Sequence, residues 1–370
     1  MGTDVASIRQ KGKKKTKIKK ILYIISVILL VLAIVLAKLT LLGWRWIETE
    51  LDQMKRVKYK TGDLLIDKTV EKKLKDYRNI LIMGIDSREG ENINHCRSDA
   101  MIIMSINKKN GKMKMISIMR DSFLELEEKG TTKIDKLTHA HAFGGPKNTI
   151  RALNKNLDLN IKEFIRVDWK AVADSADGLG GLDLDIKKYQ INEMNKYIKD
   201  TNESLHGNTA KIKKSGKQRL NGVQVVTYCR IRHIGRGDTE RAERMREALS
   251  AMISRASHAG IKKVDTMIDK VAPEITTNIE TKKLTKLLIS NLNFKIDKSI
   301  GWPYTWDGAM LGGVSYDVPI TLESNVKDLY EVVFGIKNYS PTRRVKDISL
   351  QISEKSGYHK GQPVQYTNRK

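Results

Sequence analysis

The chain has few cysteines and lacks several motifs that mark common classes of enzyme. Its 370 residues include two cysteines, Cys96 and Cys229, too few for a disulfide-dense mini-domain. No CxxC pair occurs, which argues against a structural zinc site, and no HExxH accompanies the pair His139 and His141. P-loop, GxGxxG and GxSxG sequences are also absent, so neither a nucleotide-binding loop nor a nucleophile elbow is indicated.

Acidic residues are scarce relative to basic ones. Asp and Glu number 43 against 68 Lys and Arg, which gives a net charge of +25. A charge of this size indicates an anionic partner, such as nucleic acid, a membrane surface or a phosphorylated substrate. Hydrophobic residues make up 40% of the chain, enough for a globular core, so wholesale disorder is excluded.

A long apolar run follows a basic N-terminal tail. Residues 1–20 hold eight basic residues and one aspartate, and no charge interrupts the run from Ile21 to Ala37. A helix from Ile21 to Leu42 would be about 33 Å long, which matches a bilayer core of about 30 Å. We therefore predict a transmembrane helix over 21–43. A signal peptide cleaved after Ala37 is the alternative, although the run exceeds the usual length of its apolar region.

The basic tail also predicts the orientation of the chain. Positively charged flanks stay on the cytoplasmic side, so residues 1–20 are expected in the cytoplasm and the rest of the chain outside the cell membrane. A domain outside the membrane does not meet chromosomal DNA. We therefore expect no nucleic-acid partner and interpret the positive charge as suited to wall polymers, lipid phosphates and sugar phosphates.

The exterior part is predicted to be one α/β domain between two extensions. Residues 44–75 are charged and amphipathic and are interpreted as a stalk, whereas 356–370 are polar and predicted to be a flexible tail. Between them, over 76–355, apolar strand-like runs alternate with helical patterns. This alternation favours a central sheet covered by helices on both faces. Strands are predicted at 79–85, 100–106, 113–118, 164–167 and 182–186, and helices from 146, 169, 220, 239, 262 and 281.

Charged residues concentrate where the predicted strands end. Asp86 follows the first strand, Asp99 precedes the second, and Arg120 with Asp121 follows the third. Open α/β sheets bind ligands at such strand ends. A later segment, 230–241, holds four arginines, and arginine grips phosphate oxygens with a planar fork. Paired aspartates nearby suit Mg²⁺, so the combination indicates a pyrophosphate site with a metal.

An ordered series of motifs resembles the LytR-CpsA-Psr (LCP) family of envelope proteins. The motifs are NILIMGIDSR, CRSDAMIIMSI, MKMISIMRDS, KLTHAHAFGG, VDW with ADGLGGLDLDI, LNGVQVVTYCRIR and DTERAERM, and they cover about residues 77–255. The resemblance implies an α-β-α domain with a central mixed β-sheet, anchored by one N-terminal transmembrane helix. It also implies an extracellular glycopolymer–peptidoglycan ligase, a phosphotransferase that acts on a polyprenyl-pyrophosphate-linked glycan such as teichoic acid, capsule or another secondary wall polymer. Peptidoglycan is the implied acceptor and polyprenyl phosphate the released product.

The resemblance assigns roles residue by residue. Asp86 and Asp99 would hold Mg²⁺. Six arginines would surround the pyrophosphate: Arg88, Arg97, Arg120, Arg230, Arg232 and Arg241. The implied catalytic group is Arg120, Asp121 and Asp238, and Asp238 would orient the arginines or help to activate the acceptor hydroxyl. The lipid would lie in an apolar tunnel between sheet and helices.

Two departures from the family pattern leave other functions open. Met119 stands where the family usually has proline, and Met245 where it often has glutamine. A non-catalytic envelope regulator that binds lipid-linked glycans or anionic wall polymer is the main alternative, and a pyrophosphatase is another. Because Cys96 and Cys229 each precede a site arginine, outside the membrane, a disulfide between them is also predicted.

Overall fold

The computed structural model describes residues 48–87, 91–290, 296–361 and 365–366. The strands are β1 Lys55–Arg56, β2 Tyr77–Ile85, β3 Ser98–Asn107, β4 Met113–Ile118, β5 Phe123–Glu128, β6 Thr131–Lys136, β7 Glu163–Asp168, β8 Leu182–Ile186, β9 Gly216–Leu220, β10 Thr276–Thr277, β11 Ile296–Trp302, β12 Thr305–Leu311, β13 Val314–Pro319 and β14 Gln365–Tyr366. The α-helices are α1 Lys68–Lys73, α2 Leu137–Leu157, α3 Trp169–Gly178, α4 Gln190–Ser204, α5 Gly222–Arg230, α6 Asp238–His258, α7 Ile261–Val271, α8 Thr281–Ser290, α9 Leu322–Phe334 and α10 Arg343–Ser356.

A mixed seven-stranded sheet forms the centre of the domain. Its order is β1-β10-β7-β2-β3-β4-β11. The strands β2, β3 and β4 are antiparallel neighbours, and β2–β7 and β4–β11 are parallel pairs. The predicted turn at Asn110-Gly111 joins β3 to β4 as a hairpin, and Gly111 there has a positive φ of 69°.

Side chains of the central strands point alternately into two apolar layers, one on each face of the sheet. Met83 and Ile103 point into a large cluster with α2, α9 and α10, whereas Ile102 and Met115 point into a second cluster with α3, α5 and α6. Successive strand residues face opposite sides of a sheet, so these β-strands are buried on both faces. The predicted α-β-α architecture is therefore confirmed.

Most of the predicted helices are present, and several elements were not predicted. The helix expected from Pro146 is the second part of α2, which is kinked at Gly144 and Gly145. His139 and His141 lie in the first part of α2. The hairpin β5–β6, helix α4 and the C-terminal elements from β11 onward had no sequence prediction.

The predicted stalk over 44–75 is wrong for residues 51–75, which belong to the domain. Leu51, Leu64, Val70 and Leu74 are buried, and β1 pairs with β10 of the central sheet. Charged residues outnumber apolar ones in this segment. The few apolar side chains are nevertheless spaced so that they pack against the domain core. Val70 and Leu74, four residues apart, share one helical face.

The two ends of the chain stand differently against the predictions. The cytoplasmic tail (1–20) and the transmembrane helix (21–43) lie outside the described residues. Among the residues that are described, none forms a helix with the length and apolarity needed to cross a bilayer. The C-terminal tail predicted to be flexible over 356–370 is partly ordered, because β14 pairs with β12.

Helix α5, which carries Arg230 to the site, makes a close approach that requires glycine. A Cβ at Gly222 would clash with the carbonyl oxygen of Ala173 in α3, and the Gly222 amide donates to Asp177 Oδ1 at 2.7 Å.

Gly222→Ala should lower the free energy of unfolding by about 1–3 kcal/mol, because the added Cβ forces the backbone of α5 or α3 to shift. Chemical denaturation measures this. Gly62→Ala, where a Cβ meets nothing within 4 Å, is the control, and equal effects of the two changes would contradict the packing argument.

Candidate active site

Three strand ends bring charged side chains to one edge of the central sheet. Because β2, β3 and β4 alternate in direction, the end of β2, the start of β3 and the end of β4 are adjacent. Asp86 follows β2, Asp99 is the second residue of β3, and Arg120 follows β4. The sequence-predicted convergence of these three residues is therefore present.

The carboxylate of Asp99 bridges two buried arginines. Its Oδ1 accepts from Arg120 Nη1 at 2.5 Å, and its Oδ2 lies 3.6 Å from Arg241 Nη1. The side chains of Asp99 and Arg120 are each 13% exposed and that of Arg241 is 7% exposed. Removal of either partner from an ion pair buried to this degree leaves an uncompensated charge, which is strongly destabilising. The three side chains therefore hold one another in place.

Helices α5 and α6 supply the second half of the site. Arg230 ends α5 and pairs with Asp200 at 2.7 Å, so this guanidinium is anchored to α4. Asp238, the first residue of α6, pairs with Arg232 at 3.0 Å and with Arg241 at 3.1 Å. Asp238 thus holds two of the predicted phosphate ligands in place.

The predicted site residues line a single cleft of about 520 Å³. Seven of them do so: Asp86, Arg97, Asp99, Arg120, Arg230, Arg232 and Arg241. Asp238 lines an adjoining crevice together with Asp99, Arg120 and Arg241. Arg88 lies outside the described residues.

The cleft wall also includes residues that the sequence reasoning did not assign. Trp169 and Tyr197 line it, and Trp169 Nε1–H donates to Asp86 Oδ1 at 3.1 Å. Lys136 Nζ lies 3.7 Å from Asp121 Oδ2. A signal for Lys136 was present, because it opens the KLTHAHAFGG motif.

Burial and neighbouring charges act differently on the two central arginines. Burial opposes the charged form of Arg120, but Asp99, Asp121 and Asp238 outweigh it and raise the pKa of its guanidinium. Burial lowers the pKa of Arg241, and the positive charges of Arg120 and Arg232 add to this effect. The negative charges of Asp238 and Asp99 partly offset this lowering, so the shift at Arg241 comes chiefly from burial.

Asp317 in β13 is a buried carboxyl group behind the site that no sequence pattern indicated. Its backbone N–H donates to the carbonyl oxygen of Asp121 at 3.0 Å, and its Oδ2 has no hydrogen-bond partner within the described structure. Burial, reinforced by the negative charges of Asp121 and Asp238, raises the pKa of Asp317 to about 7.

The carboxylates of the cleft fit a metal that takes only part of its ligands from protein. Asp86 and Asp99 line the same cleft, and Asp86 is exposed with one oxygen bonded to Trp169. No group of three or more His, Cys, Asp or Glu side chains suited to a metal occurs in the described ranges. Mg²⁺ commonly uses one or two carboxylates and completes its shell with waters and substrate phosphates. Asp86 and Asp99, beside the arginines of the cleft, match that pattern, although both oxygens of Asp99 already pair with Arg120 and Arg241.

An apolar crevice lies between the sheet and α6, directly under the charged cleft. Ala100, Ile102, Ala242 and Met245 line it next to Asp99 and Arg120, and its volume is only about 10 Å³. The family resemblance implies a lipid tunnel between the sheet and the helices, which is where this crevice lies. In the described structure α6 packs closely against the sheet, so the crevice is too small for a lipid.

Comparison with known proteins identifies the family. The LytR_cpsA_psr family model matches residues 47–326, three quarters of the chain. The chain belongs to the LytR_cpsA_psr family. The resemblance inferred from the motifs is therefore confirmed.

Related sequences include both uncharacterised proteins and named transferases. An uncharacterised protein of Staphylococcus aureus is 33% identical over 223 residues, which are 58% of this chain and 52% of that protein. The polyisoprenyl-teichoic acid–peptidoglycan teichoic acid transferase TagT of Bacillus subtilis is 30% identical over 211 residues, 56% of this chain and 62% of TagT. The chain thus spans little more than half the length of these relatives.

Solved structures of the family share the fold. The structure of the LytR-CPS2A-psr family protein YwtF (TagT) with bound octaprenyl pyrophosphate lipid is similar with a TM-score of 0.51 at 21% identity. The match covers 81% of this chain and 94% of that one. The α/β domain is therefore a LytR_cpsA_psr domain in structure as well as in sequence.

The predicted disulfide between Cys96 and Cys229 is wrong, because both cysteines are free. Cys229 lies on the buried face of α5 within the apolar cluster of that side of the sheet, and its burial raises the pKa of the thiol to about 12. Cys96 packs against the cluster on the opposite side. Adjacent helical residues point in different directions, so Arg230 reaches the cleft while Cys229 turns away.

The two departures from the family pattern have structural consequences. Met119 N–H donates to the carbonyl oxygen of Trp302 at 3.0 Å, a bond that proline could not make. Met245 lines both the charged cleft and the apolar crevice. It places a thioether where an amide would offer hydrogen bonds, so the passage between the two spaces is more apolar.

Asp317 should make the stability of the domain depend on pH. Because its folded pKa is near 7 and its unfolded value near 4, the unfavourable contribution begins above pH 4 and reaches its full size above pH 7. Asp317→Asn should therefore stabilise the protein by up to about 4 kcal/mol at pH 8 and by little at pH 4. Thermal unfolding at the two pH values measures this difference. The same change in melting temperature at both would contradict the buried-acid assignment.

Proposed function

We propose that the chain is a cell-envelope phosphotransferase. It attaches a glycopolymer, carried on polyprenyl pyrophosphate, to peptidoglycan and releases polyprenyl phosphate. The single observation that carries the proposal is the convergence of Arg97, Arg120, Arg230, Arg232 and Arg241 in one cleft beside the carboxylates of Asp86, Glu91 and Asp99. Family membership and the teichoic acid transferase names of several relatives support the same reaction class.

The charge of the cleft matches the needs of phosphoryl transfer. Such reactions gain most from positioning and from preorganised positive charge around the phosphoryl oxygens. Arg120 and Arg241 are buried and held by Asp99, so little reorganisation is needed when a pyrophosphate enters. Arg230 and Arg232 flank the same cleft from the helical side.

Each proposed catalytic residue has a distinct part in the step. The acceptor hydroxyl oxygen, expected to be the C6 hydroxyl of N-acetylmuramic acid, attacks the phosphorus that bears the glycan. The bond from this phosphorus to the polyprenyl phosphate oxygen breaks, and Arg120 stabilises the charge that develops. We assign acceptance of the hydroxyl proton to Asp121, whose Oδ2 lies 3.7 Å from Lys136 Nζ and from Arg232 Nη2, although Asp121 lines neither the cleft nor the adjoining crevice. Asp238 orients Arg232 and Arg241.

Mg²⁺ is the proposed cofactor, with Asp86 and Asp99 as its protein ligands. When bound, it would neutralise charge on the pyrophosphate oxygens. The polyprenyl chain is proposed to enter the apolar crevice beneath the cleft. Because that space is about 10 Å³, α6 must move away from the sheet to admit a lipid.

The proposed setting is the outer face of the cell membrane. The apolar segment 21–43 would anchor the chain as a single span, with the basic tail in the cytoplasm and the catalytic domain outside. A lipid-linked donor that remains in the bilayer then lies within reach of the site.

A non-catalytic factor that binds lipid-linked glycans and regulates envelope assembly is the second candidate. Met245 favours it, because an amide contact to the pyrophosphate is replaced by a thioether at the mouth of the crevice. Binding would survive this loss more readily than turnover.

Transfer of labelled glycan from a polyprenyl-pyrophosphate donor to peptidoglycan, with Mg²⁺, separates the two candidates. Arg120→Lys and Asp99→Asn should each lower the rate by at least about 100-fold, because the first loses the planar fork that holds the pyrophosphate and the second releases two arginines from their shared carboxylate. Arg343→Lys, at a side chain that is 95% exposed in α10, is the control and should leave the rate unchanged. A wild-type protein that binds the donor and never releases polyprenyl phosphate would favour the regulator.

A further inference from the structure

A second cleft, of about 710 Å³, lies on the other flank of α6 and is unused by the proposed phosphoryl transfer. We call it the α6 flank cleft. Its wall combines α6, from Glu240 to Ser254, with the start of α4, the hairpin β8–β9 and the sheet edge at β11. The residues that matter here are Tyr189, Lys217, Glu240, Glu243, Arg246 and Glu247.

Arg246 is a buried cation in the floor of this cleft. It is 7% exposed, its Nε donates to Ser299 Oγ at 3.1 Å, and its Nη1 donates to Ser117 Oγ. Within the described part of the chain its guanidinium forms two hydroxyl contacts and no ion pair with a carboxylate. Burial lowers the pKa of Arg246 and the charges of Glu243 and Glu247 partly offset that effect, while the N–H groups not bonded to serine are suited to a carboxylate or phosphate brought by a ligand.

The carboxylates of the cleft are already held in fixed positions. Glu240 accepts from the Tyr189 hydroxyl at 3.1 Å, Glu243 pairs with Arg236 at 2.6 Å, and Glu247 accepts from Tyr228. Their remaining lone pairs can accept hydrogen bonds from a ligand's hydroxyl groups. Such an array suits a polyhydroxylated ligand, whereas it would repel a chain with a phosphate on every unit.

An exposed aromatic ring stands at the edge of the cleft. Tyr189 is 53% exposed, and its hydroxyl is fixed by Glu240. Aromatic rings with one polar end bury apolar area at a wet binding surface, and a sugar ring offers a matching apolar face. Lys217, a residue of β9, lines the same cleft and adds an exposed positive charge.

The cleft begins within one helical turn of the reaction centre. Glu240 and Glu243 face the α6 flank cleft, whereas Arg241 of the same helix faces the charged cleft and Asp238 faces the crevice that adjoins it. A strand lying in the flank cleft would therefore run past the first turn of α6 toward the pyrophosphate site. A linear substrate is suited to this arrangement.

We propose that the α6 flank cleft binds the acceptor, a peptidoglycan glycan strand, and this inference rests on the proposed function. Arg246 receives a carboxylate of the strand, the fixed glutamates accept from sugar hydroxyls, and Tyr189 stacks on a ring. A donor polymer with a repeating phosphate backbone fits less well, because glutamates and aspartates line the wall alongside the cations.

Equilibrium binding of a soluble peptidoglycan tetrasaccharide with its peptide stems tests the proposal on the full chain in detergent. Tyr189→Ala should weaken binding about tenfold, because it removes the stacking surface, and Lys217→Ala about threefold. Lys213→Ala is the matched control, since Lys213 is also exposed, lies four residues before Lys217 and does not line the cleft. These exposed positions leave the core intact, and melting curves verify that each variant is folded.

The outcomes separate this proposal from the proposed function. Weaker tetrasaccharide binding by Tyr189→Ala, with donor binding and Lys213→Ala unaffected, supports the acceptor cleft. Undetectable binding by the wild type, equal binding by all variants, or a loss confined to the phosphate-containing donor overturns it. If tetrasaccharide binding follows the prediction but no polyprenyl phosphate is ever released, the cleft stands and the transferase proposal fails.

Discussion

The buried bridge from Asp99 to Arg120 and Arg241 is the interaction on which the rest of the site depends. It ties α6 to the start of β3 and the end of β4 at this edge of the sheet. Two guanidinium groups buried together repel each other, and one carboxylate between them makes their proximity tolerable. Asp238 likewise pairs with Arg232 and with Arg241. The positive cleft is therefore assembled before any ligand is bound.

Helix α6 gives the domain two working faces. One side of its first turns presents Arg241 to the charged cleft, and the other presents Glu240 to the α6 flank cleft. Its inner face closes over the sheet, with Met245 at the mouth of the narrow apolar crevice. Movement of α6 would therefore affect donor lipid, pyrophosphate and the proposed acceptor together, which makes this helix the natural point of coupling between them.

The sequence predicted the parts that depend on local pattern and on the family motifs. The apolar runs and the Asn110-Gly111 turn specify β2 to β4, and these strands determine where Asp99 and Arg120 lie. Contacts between distant segments were beyond such reasoning: Asp317 approaches Asp121 across almost 200 residues with no shared motif. The disulfide prediction failed because a position next to a site arginine does not determine which face of the helix a side chain occupies. Cys229 faces the core. The stalk prediction failed because the few apolar residues of this charged segment pack against the central sheet.

Calorimetric binding of geranylgeranyl diphosphate and geranylgeranyl monophosphate to the full chain, with Mg²⁺ present, tests the central claim most directly. The lipids are identical, so the comparison isolates the second phosphate. A preformed pyrophosphate cleft predicts that the diphosphate binds at least about tenfold more tightly, since a single further charge-assisted contact contributes that much. It also predicts that Arg241→Gln removes the preference. Equal affinity for the two lipids in the wild type would contradict the account.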